Sequence, residues 1–203
     1  IFNSVTNLDL LKNILPYNIV SIEYPGYSLY FADKSAKTIE DDSLIVYDFF
    51  TKILKVNPKD IVIVGRSIGT GPACYLSANR DPAALVLFSP FTSIKETTQS
   101  ILGIFNFIIA DRFRNIDVIS KVTCPLLLIH GQMDTLISFS HSIELSKKTS
   151  GPYELILPEE MDHNEYLSYD DFIDPICSFF KRHNLLNDSY GEEIELPKEL
   201  FLI

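Results

Sequence analysis

The sequence has few of the features that mark membrane-spanning, disulfide-linked or metal-binding proteins. It contains no apolar run of about eighteen residues, the length that a helix needs to cross a bilayer, and therefore predicts no membrane span. It has three cysteines, Cys74, Cys124 and Cys177, and none of them has the C-x-x-C spacing of a zinc site. An odd number of dispersed cysteines also argues against a disulfide framework and favours a reducing compartment. We therefore predict a cytoplasmic protein without a metal site.

Basic residues are also scarce. The chain has 17 Lys and Arg against 27 Asp and Glu, which gives a formal net charge of -10. This balance disfavours binding to nucleic acid and purely electrostatic docking on anionic lipid, although peripheral contact with a membrane by other means stays open. A G-x-x-x-x-G-K-[ST] loop, which would cradle phosphates, is absent from the sequence. We predict that the protein uses no cofactor.

Short apolar runs alternate with helical patterns along the chain. The predicted strands are residues 18–22, 61–64, 84–88, 126–129 and 153–157, and the predicted helices include residues 38–54, 139–148 and 169–182. Continuous apolar strands of this kind are typical of a parallel sheet that is buried on both faces. The alternation predicts βαβ units, and hence an α/β fold with a mostly parallel sheet flanked by helices.

The length of 203 residues fits one domain. We predict that residues 1–183 form this domain, that residues 93–116 form a small helical cap, and that residues 184–203 form an irregular tail. The chain opens on Ile1, in what resembles the end of a strand. We therefore expect that preceding sequence is missing.

The pentapeptide Gly65-Arg66-Ser67-Ile68-Gly69 matches G-x-S-x-G. It follows a predicted buried strand directly and opens a helix of small residues, which is the context of a nucleophile elbow. In such an elbow the serine occupies a strained strand-to-helix turn, and side chains at the flanking positions would collide with their neighbours. The alternative is an ordinary glycine-rich turn between a strand and a helix.

A serine hydroxyl needs an adjacent base to become a nucleophile near neutral pH. His163 follows the predicted strand 153–157 after a loop, so it lies at the carboxyl edge of the sheet, where the elbow also lies. The alternative is a histidine in a surface loop. Of the other three histidines, His130 is predicted to be structural at the carboxyl end of a strand, whereas His141 and His183 are predicted to be solvated.

The acid that orients such a histidine should come between the serine and the histidine in the chain. Asp134 lies just beyond the predicted strand 126–129, at the same edge of the sheet. A lone aspartate in a loop is more often a turn residue or a helix cap, so the case for Asp134 rests on its position. Three weaker rivals are present: Asp111, Asp117 and Asp162.

Taken in order, these motifs resemble the α/β-hydrolase domain-containing protein 17-like group and its bud-emergence-46-like relatives. The segments that carry the resemblance are residues 23–27 (EYPGY), 65–71 (GRSIGTG), 88–93 (FSPFTS), 111–116 (DRFRNI), 125–131 (PLLLIHG) with Asp134, and 161–165 (MDHNE). The resemblance implies the α/β-hydrolase fold and a triad of Ser67, Asp134 and His163. It also implies a serine hydrolase that removes fatty acyl groups from protein cysteines.

The sequence departs from the group in two ways. Members carry a His-Gly-Asn segment after an early strand, which supplies one donor of the oxyanion hole, whereas residues 1–4 here read IFNS. We expect the backbone N–H of Ile68 to be one donor and assign Asn3 as the second. The N-terminal cysteine cluster by which depalmitoylating members attach to membranes is not seen.

The resemblance favours a protein thioesterase that acts on an acylated protein. Two alternatives are a carboxylesterase or lipase of small acyl esters, and a non-catalytic interaction protein on a hydrolase scaffold. Residues 101–109 (ILGIFNFII) hold more apolar side chains than one face of a short helix hides. We expect part of this segment, with Phe105 and Phe107, to line a groove for an acyl chain; the alternative is ordinary core packing.

Overall fold

Within the residues that the structure describes, the centre of the protein is a sheet of four parallel strands. The computed structural model describes residues 9–27, 30–31, 35–102, 111–186, 194 and 196–197, with the backbone alone for residues 99–102. The strands are β1 (Val62–Arg66), β2 (Ala84–Phe88), β3 (Leu126–Ile129) and β4 (Tyr153–Ile156), and they lie in that order across the sheet. Every residue of β2 and β3 is buried, as expected for central strands covered on both faces.

Helical segments connect and cover the strands. They are α1 (residues 9–14), α2 (Ala36–Asp48), α3 (Thr70–Asn79), α4 (Ile94–Leu102), α5 (Asn115–Val118), α6 (Ser140–Lys148) and α7 (Asp174–Arg182). π-helical turns at Phe49–Ile53 and Ser168–Ile173 extend α2 and precede α7, and short 3₁₀ turns occupy Pro58–Asp60, Ser67–Gly69 and Ile119–Lys121.

The sheet separates two apolar cores, because successive strand residues point to opposite faces. On one face, α3 and α6 pack on the strands through Ala73, Cys74, Leu85, Leu87, Leu126, Leu128 and Leu145. On the other face, α1 and α7 pack through Leu11, Val86, Phe88, Leu127, Ile129, Ile176 and Phe179. Each fully buried leucine or phenylalanine contributes about 1.5–3 kcal/mol, so these two layers hold the sheet rigid beneath the loops at its edges. The prediction of a mostly parallel sheet flanked by helices is confirmed.

The predicted strand at residues 18–22 is wrong. Residues 17–24 adopt no regular secondary structure, and no backbone hydrogen bond joins residues 18–23 to β1. β-Branched residues favour a strand only where a neighbouring strand supplies the ladder and the packing. In the described part of the chain, β1 pairs with β2 alone, and Val64 of β1 is 46% exposed.

Within the described residues, we find no helix that combines the length and the apolar character needed to cross a membrane. The segment predicted to form a cap contains α4, and residues 103–110 of that segment lie outside the described part of the chain.

The loops that follow β1, β3 and β4 leave the same edge of the sheet, because parallel strands share one carboxyl edge. The loops after β3 and β4 touch closely at Gly131. A Cβ atom at this position would lie 2.0 Å from the carbonyl oxygen of Met161. Only glycine therefore allows the loop that carries Asp134 to approach the loop that carries His163.

Candidate active site

Ser67 lies on a strained turn at the carboxyl end of β1. Its φ is 51°, in the left-handed region that residues other than glycine rarely adopt. The turn is tight on its inner side, since a Cβ at Gly65 would lie 2.7 Å from both the Cβ of Ala73 and the carbonyl oxygen of Gly69. Thr70 closes the turn by donating its hydroxyl to the Ser67 carbonyl at 2.7 Å. The backbone thus holds the serine hydroxyl away from the sheet and towards the loops.

His163 connects this serine to a buried carboxylate. Its Nε2 lies 3.0 Å from the Ser67 Oγ, and its Nδ1 lies 2.7 Å from Oδ2 of Asp134. The imidazole and the carboxylate are both buried, at 4% and 6% exposure of their residues. An ionised aspartate accepts only, so the Nδ1 proton faces Asp134 and leaves Nε2 free to accept from the serine hydroxyl. The structure therefore brings together the three residues that the sequence singled out.

In addition to the hydrogen bond from His163, each carboxylate oxygen of Asp134 has another donor. Its Oδ1 accepts the backbone N–H groups of Leu136 at 2.9 Å and Ile137 at 2.7 Å, and its Oδ2 lies 3.3 Å from Nε2 of His130. Burial acts to raise the pKa of Asp134, but the hydrogen bonds from His130, His163 and Ile137 outweigh it and hold the pKa well below its usual value. The carboxylate is therefore ionised wherever the histidine needs an anionic partner.

His130 has the structural role that the sequence predicts, but its contact with Asp134 is one that the sequence analysis did not find. It is fully buried, with Nδ1 at 2.7 Å from the Ser142 hydroxyl and Nε2 at 2.8 Å from the Ile137 carbonyl. The Ile137 carbonyl and the ionised Asp134 carboxylate only accept, so the ring proton lies on Nε2, and the Ser142 hydroxyl donates to Nδ1. His130 thus supports the loop that carries the acid. The available signal was its position four residues before Asp134, at the other end of the same turn.

We expect His130→Phe to lower turnover and to reduce the free energy of unfolding by about 1–3 kcal/mol, because it leaves buried polar groups without their partner. His141→Phe is the matched control, since His141 is half-buried and bonded to Thr92 at 2.8 Å but does not touch Asp134. Chemical denaturation measures the stability of each variant and steady-state kinetics measure its kcat. An unchanged kcat in His130→Phe would contradict the supporting role.

The hydrogen bond between His141 and Thr92 also corrects the prediction that His141 is solvated.

The three rival aspartates are engaged elsewhere. Asp111 and Asp117 both pair with Arg114, and Asp162 accepts the backbone N–H of Asn164 at 3.4 Å. None of these carboxylates has a hydrogen bond to the His163 ring within the described residues. The acid position near the histidine is therefore occupied by Asp134.

The remaining predicted site residues fall into two groups. Ile68 is the second residue of the 3₁₀ turn, and an N–H group at the start of a helical segment has no acceptor within that segment. It therefore lies beside the serine as a backbone donor. Asn3, Phe105 and Phe107 lie outside the described residues.

Among the described residues, no group of three or more His, Cys, Asp or Glu side chains is placed to hold an ion. The cysteines are also poor nucleophiles where they lie. Burial raises the pKa of the Cys74 thiol far above its usual value, and burial followed by the charge of Asp81 raises the pKa of Cys124 to about 11.

The protein has the α/β-hydrolase fold. A parallel sheet is flanked by helices, the serine lies on a strained turn after a strand, and the acid and the histidine lie on later loops.

Curated relatives of the chain carry the name of the same fold. Human α/β hydrolase domain-containing protein 17B is 32% identical over 163 residues, which cover 80% of this chain and 56% of that protein. The 17C protein of Xenopus tropicalis is 32% identical over 171 residues, 84% of this chain and 54% of that protein. The chain is thus a relative of the group expected from its motifs, and it spans about half the length of these curated relatives.

Solved structures show the same fold. The acetyl xylan esterase from Paenibacillus sp. R4 superimposes with a TM-score of 0.59 at 17% identity, over 79% of this chain and 60% of that one. The acylaminoacyl peptidase of Pyrococcus horikoshii superimposes with a TM-score of 0.58 at 14% identity, over 82% of this chain and 30% of that one. No protein-family model matches the chain.

Proposed function

We propose that the protein hydrolyses acyl esters and thioesters, with Ser67 as nucleophile, His163 as general base and Asp134 as the orienting acid. The observation that carries this proposal is the unbroken line of contacts from the strained Ser67 through His163 to Asp134, at 3.0 Å and 2.7 Å. This is the arrangement that converts a weakly nucleophilic hydroxyl into an effective one.

In the first half of the reaction, the Ser67 Oγ attacks the acyl carbonyl carbon and its proton passes to Nε2 of His163. Asp134 stabilises the imidazolium that results. The backbone N–H of Ile68 donates to the oxyanion, and we assign the second donor to Asn3. Collapse of the tetrahedral intermediate breaks the bond to the thiolate or alkoxide, which leaves with the proton from His163. The acyl group remains on Ser67.

In the second half, water attacks the acyl-enzyme. His163 removes a proton from the water, and a second tetrahedral intermediate collapses to release the carboxylic acid and regenerate the Ser67 hydroxyl. These steps use the protein's own groups and need no cofactor.

For the substrate we propose a long-chain acyl thioester on a protein cysteine. Four apolar side chains lie within a few residues of Ser67, Asp134 or His163 in the sequence and are exposed: Ile68 at 50%, Met133 at 58%, Leu136 at 46% and Leu167 at 63%. They flank Ser67, Asp134 and His163 on the loops at the carboxyl edge, and exposed apolar groups beside a reactive centre suit a lipid-like chain. The resemblance of the sequence motifs to the α/β-hydrolase domain-containing protein 17-like group implies the same class, and the names of the 17B and 17C relatives give the coarser class of hydrolase.

We expect kcat/KM to rise steeply with acyl length across a thioester series from two to sixteen carbons. Each buried methylene contributes about 0.8 kcal/mol, so four additional methylenes should raise kcat/KM by about two powers of ten. Phe105→Asp or Phe107→Asp should flatten this rise if that segment receives the chain. Tyr153→Asp is the control, because Tyr153 is 48% exposed at the amino end of β4, on the opposite edge of the sheet, and should leave the slope unchanged.

A flat dependence on acyl length in the unmutated protein would contradict the long-chain substrate and indicate a carboxylesterase of short acyl esters. A protein that folds but turns over no ester or thioester would indicate the interaction protein on a hydrolase scaffold.

A further inference from the structure

Arg66, the residue that precedes the nucleophile, bonds to the backbone of the general base. Its Nη2 donates to the carbonyl oxygen of His163 at 2.6 Å and to the Oδ1 of Asn164 at 3.3 Å. A hydrogen bond from a charged guanidinium is about twice as strong as a neutral one. Arg66 therefore links the strand that carries Ser67 to the loop that carries His163.

This link matters because of where the two strands lie. β1 and β4 are the outer strands of the described sheet, with β2 and β3 between them. Three strand spacings of about 4.8 Å separate them by roughly 14 Å, so no sheet hydrogen bond joins the strands that precede Ser67 and His163. The loop after β4 is tied to the loop after β3 by the bond from the Met133 N–H to the Met161 carbonyl. Arg66 supplies a direct tie to β1.

The guanidinium is held firmly in this position. Its Cζ lies 5.8 Å from the centre of the Tyr166 ring, on the same loop, within the range of a cation–π contact. Its Nε is buried and has no hydrogen-bond partner among the described residues. Burying a donor without a partner costs free energy, so the contacts to the His163 loop outweigh that cost.

We propose that Arg66 is a positioning residue that fixes the backbone of His163 and so keeps Nε2 within reach of the Ser67 hydroxyl. The inference rests on the proposed function, since it concerns the efficiency of the same Ser67 and His163. Arg66 contacts protein groups in the structure and acts through His163. Its loss should therefore lower kcat and leave KM nearly unchanged.

The test compares Arg66→Met, Arg66→Lys and Arg66→Ala with the unmutated protein. We measure kcat, KM and the rate of labelling by a fluorophosphonate probe. A displacement of about 1 Å costs up to about 100-fold, so kcat and the labelling rate of Arg66→Met should fall roughly 10- to 100-fold. Arg66→Lys, which keeps the charge but not the fork of donors, should recover part of the loss. Added methylguanidinium should restore part of the rate of Arg66→Ala, whereas sodium chloride at the same ionic strength should not.

Arg182→Met is the matched control. Arg182 pairs with Glu154 of β4 at 2.9 Å and does not touch the His163 loop, so its loss should leave kcat unchanged. Thermal melting of each variant identifies any that fail to fold. If Arg66→Met does not fold, the kcat of Arg66→Lys and the rescue of Arg66→Ala by methylguanidinium decide the test.

The outcomes separate two failures. An unmutated protein that the probe does not label contradicts the proposed function. A labelled unmutated protein together with Arg66 variants of unchanged kcat contradicts the positioning role. A raised KM with unchanged kcat also overturns it, because that result assigns Arg66 to substrate binding.

Discussion

Ser67→Ala is expected to lower turnover by about 10⁴- to 10⁶-fold and to abolish labelling by a fluorophosphonate. Losses of this size follow removal of the nucleophile in enzymes of this mechanism, because the remaining groups stabilise the transition state without forming a covalent intermediate. Ser67 is partly exposed, so the loss of its hydroxyl should change the melting temperature little. Residual turnover is measured at high enzyme concentration on the best thioester of the series.

Ser89→Ala is the matched control for this variant. Ser89 follows β2 as Ser67 follows β1, and it also has a positive φ, of 49°. It is fully buried and has no hydrogen bond to a histidine within the described residues. Ser89→Ala should therefore keep its activity, and undiminished labelling of Ser67→Ala would transfer the nucleophile to another residue.

Asp134→Asn should lower kcat by about 10⁴-fold, the size of effect known where this change leaves the geometry intact. An amide in this position no longer fixes the proton on Nδ1 of His163, and it does not stabilise the imidazolium. Asp162→Asn is the control, because Asp162 is the direct neighbour of His163 in sequence but bonds to the Asn164 backbone. Equal losses in the two variants would contradict the assignment of the acid.

The same carboxylate should affect stability in a pH-dependent way. The pKa of Asp134 in the folded protein lies below the value of about 3.9 expected in the unfolded chain. Ionised Asp134 therefore contributes stability above about pH 3.9, and this contribution is lost as the pH falls through the folded pKa. The difference in unfolding free energy between the unmutated protein and Asp134→Asn should shrink as the pH falls below about 4. Urea titrations from pH 7 to pH 3 measure it, and a constant difference would contradict the pKa shift.

The sheet was predictable because its strands are nearly continuous apolar runs. In β2 and β3 all positions are buried, so burial and sequence pattern carry the same information. Residues 18–22 (NIVSI) hold three β-branched residues but have no ladder beside them in the described chain. A local pattern reports the preference of a segment, whereas a strand also needs a neighbour. The π-helical turn at Ser168–Ile173 was missed for a related reason, because a helical period does not report how tightly a helix is wound.

The line from Ser67 to His163 and Asp134 was predictable from chain order and from the shared carboxyl edge of the strands. The contacts that hold His163 and Asp134 in place were not predictable in this way. The Nη2 of Arg66 reaches the His163 carbonyl across two intervening strands, and His130 reaches Asp134 inside a buried turn. Both contacts depend on the direction of a side chain in the folded protein, which residue spacing alone does not specify. A charged residue directly before the nucleophile was the signal for Arg66.

Reaction of the unmutated protein with a fluorophosphonate, followed by mass spectrometry of its peptides, tests the serine hydrolase most directly. An activated serine is the group that this probe reports, and Ser67 is the serine hydroxyl bonded to the His163 Nε2. We predict one adduct per chain, on Ser67, formed at a rate that falls when His163 is replaced by alanine. A folded protein that gains no adduct, or that gains it on a residue other than Ser67, would contradict the proposed function.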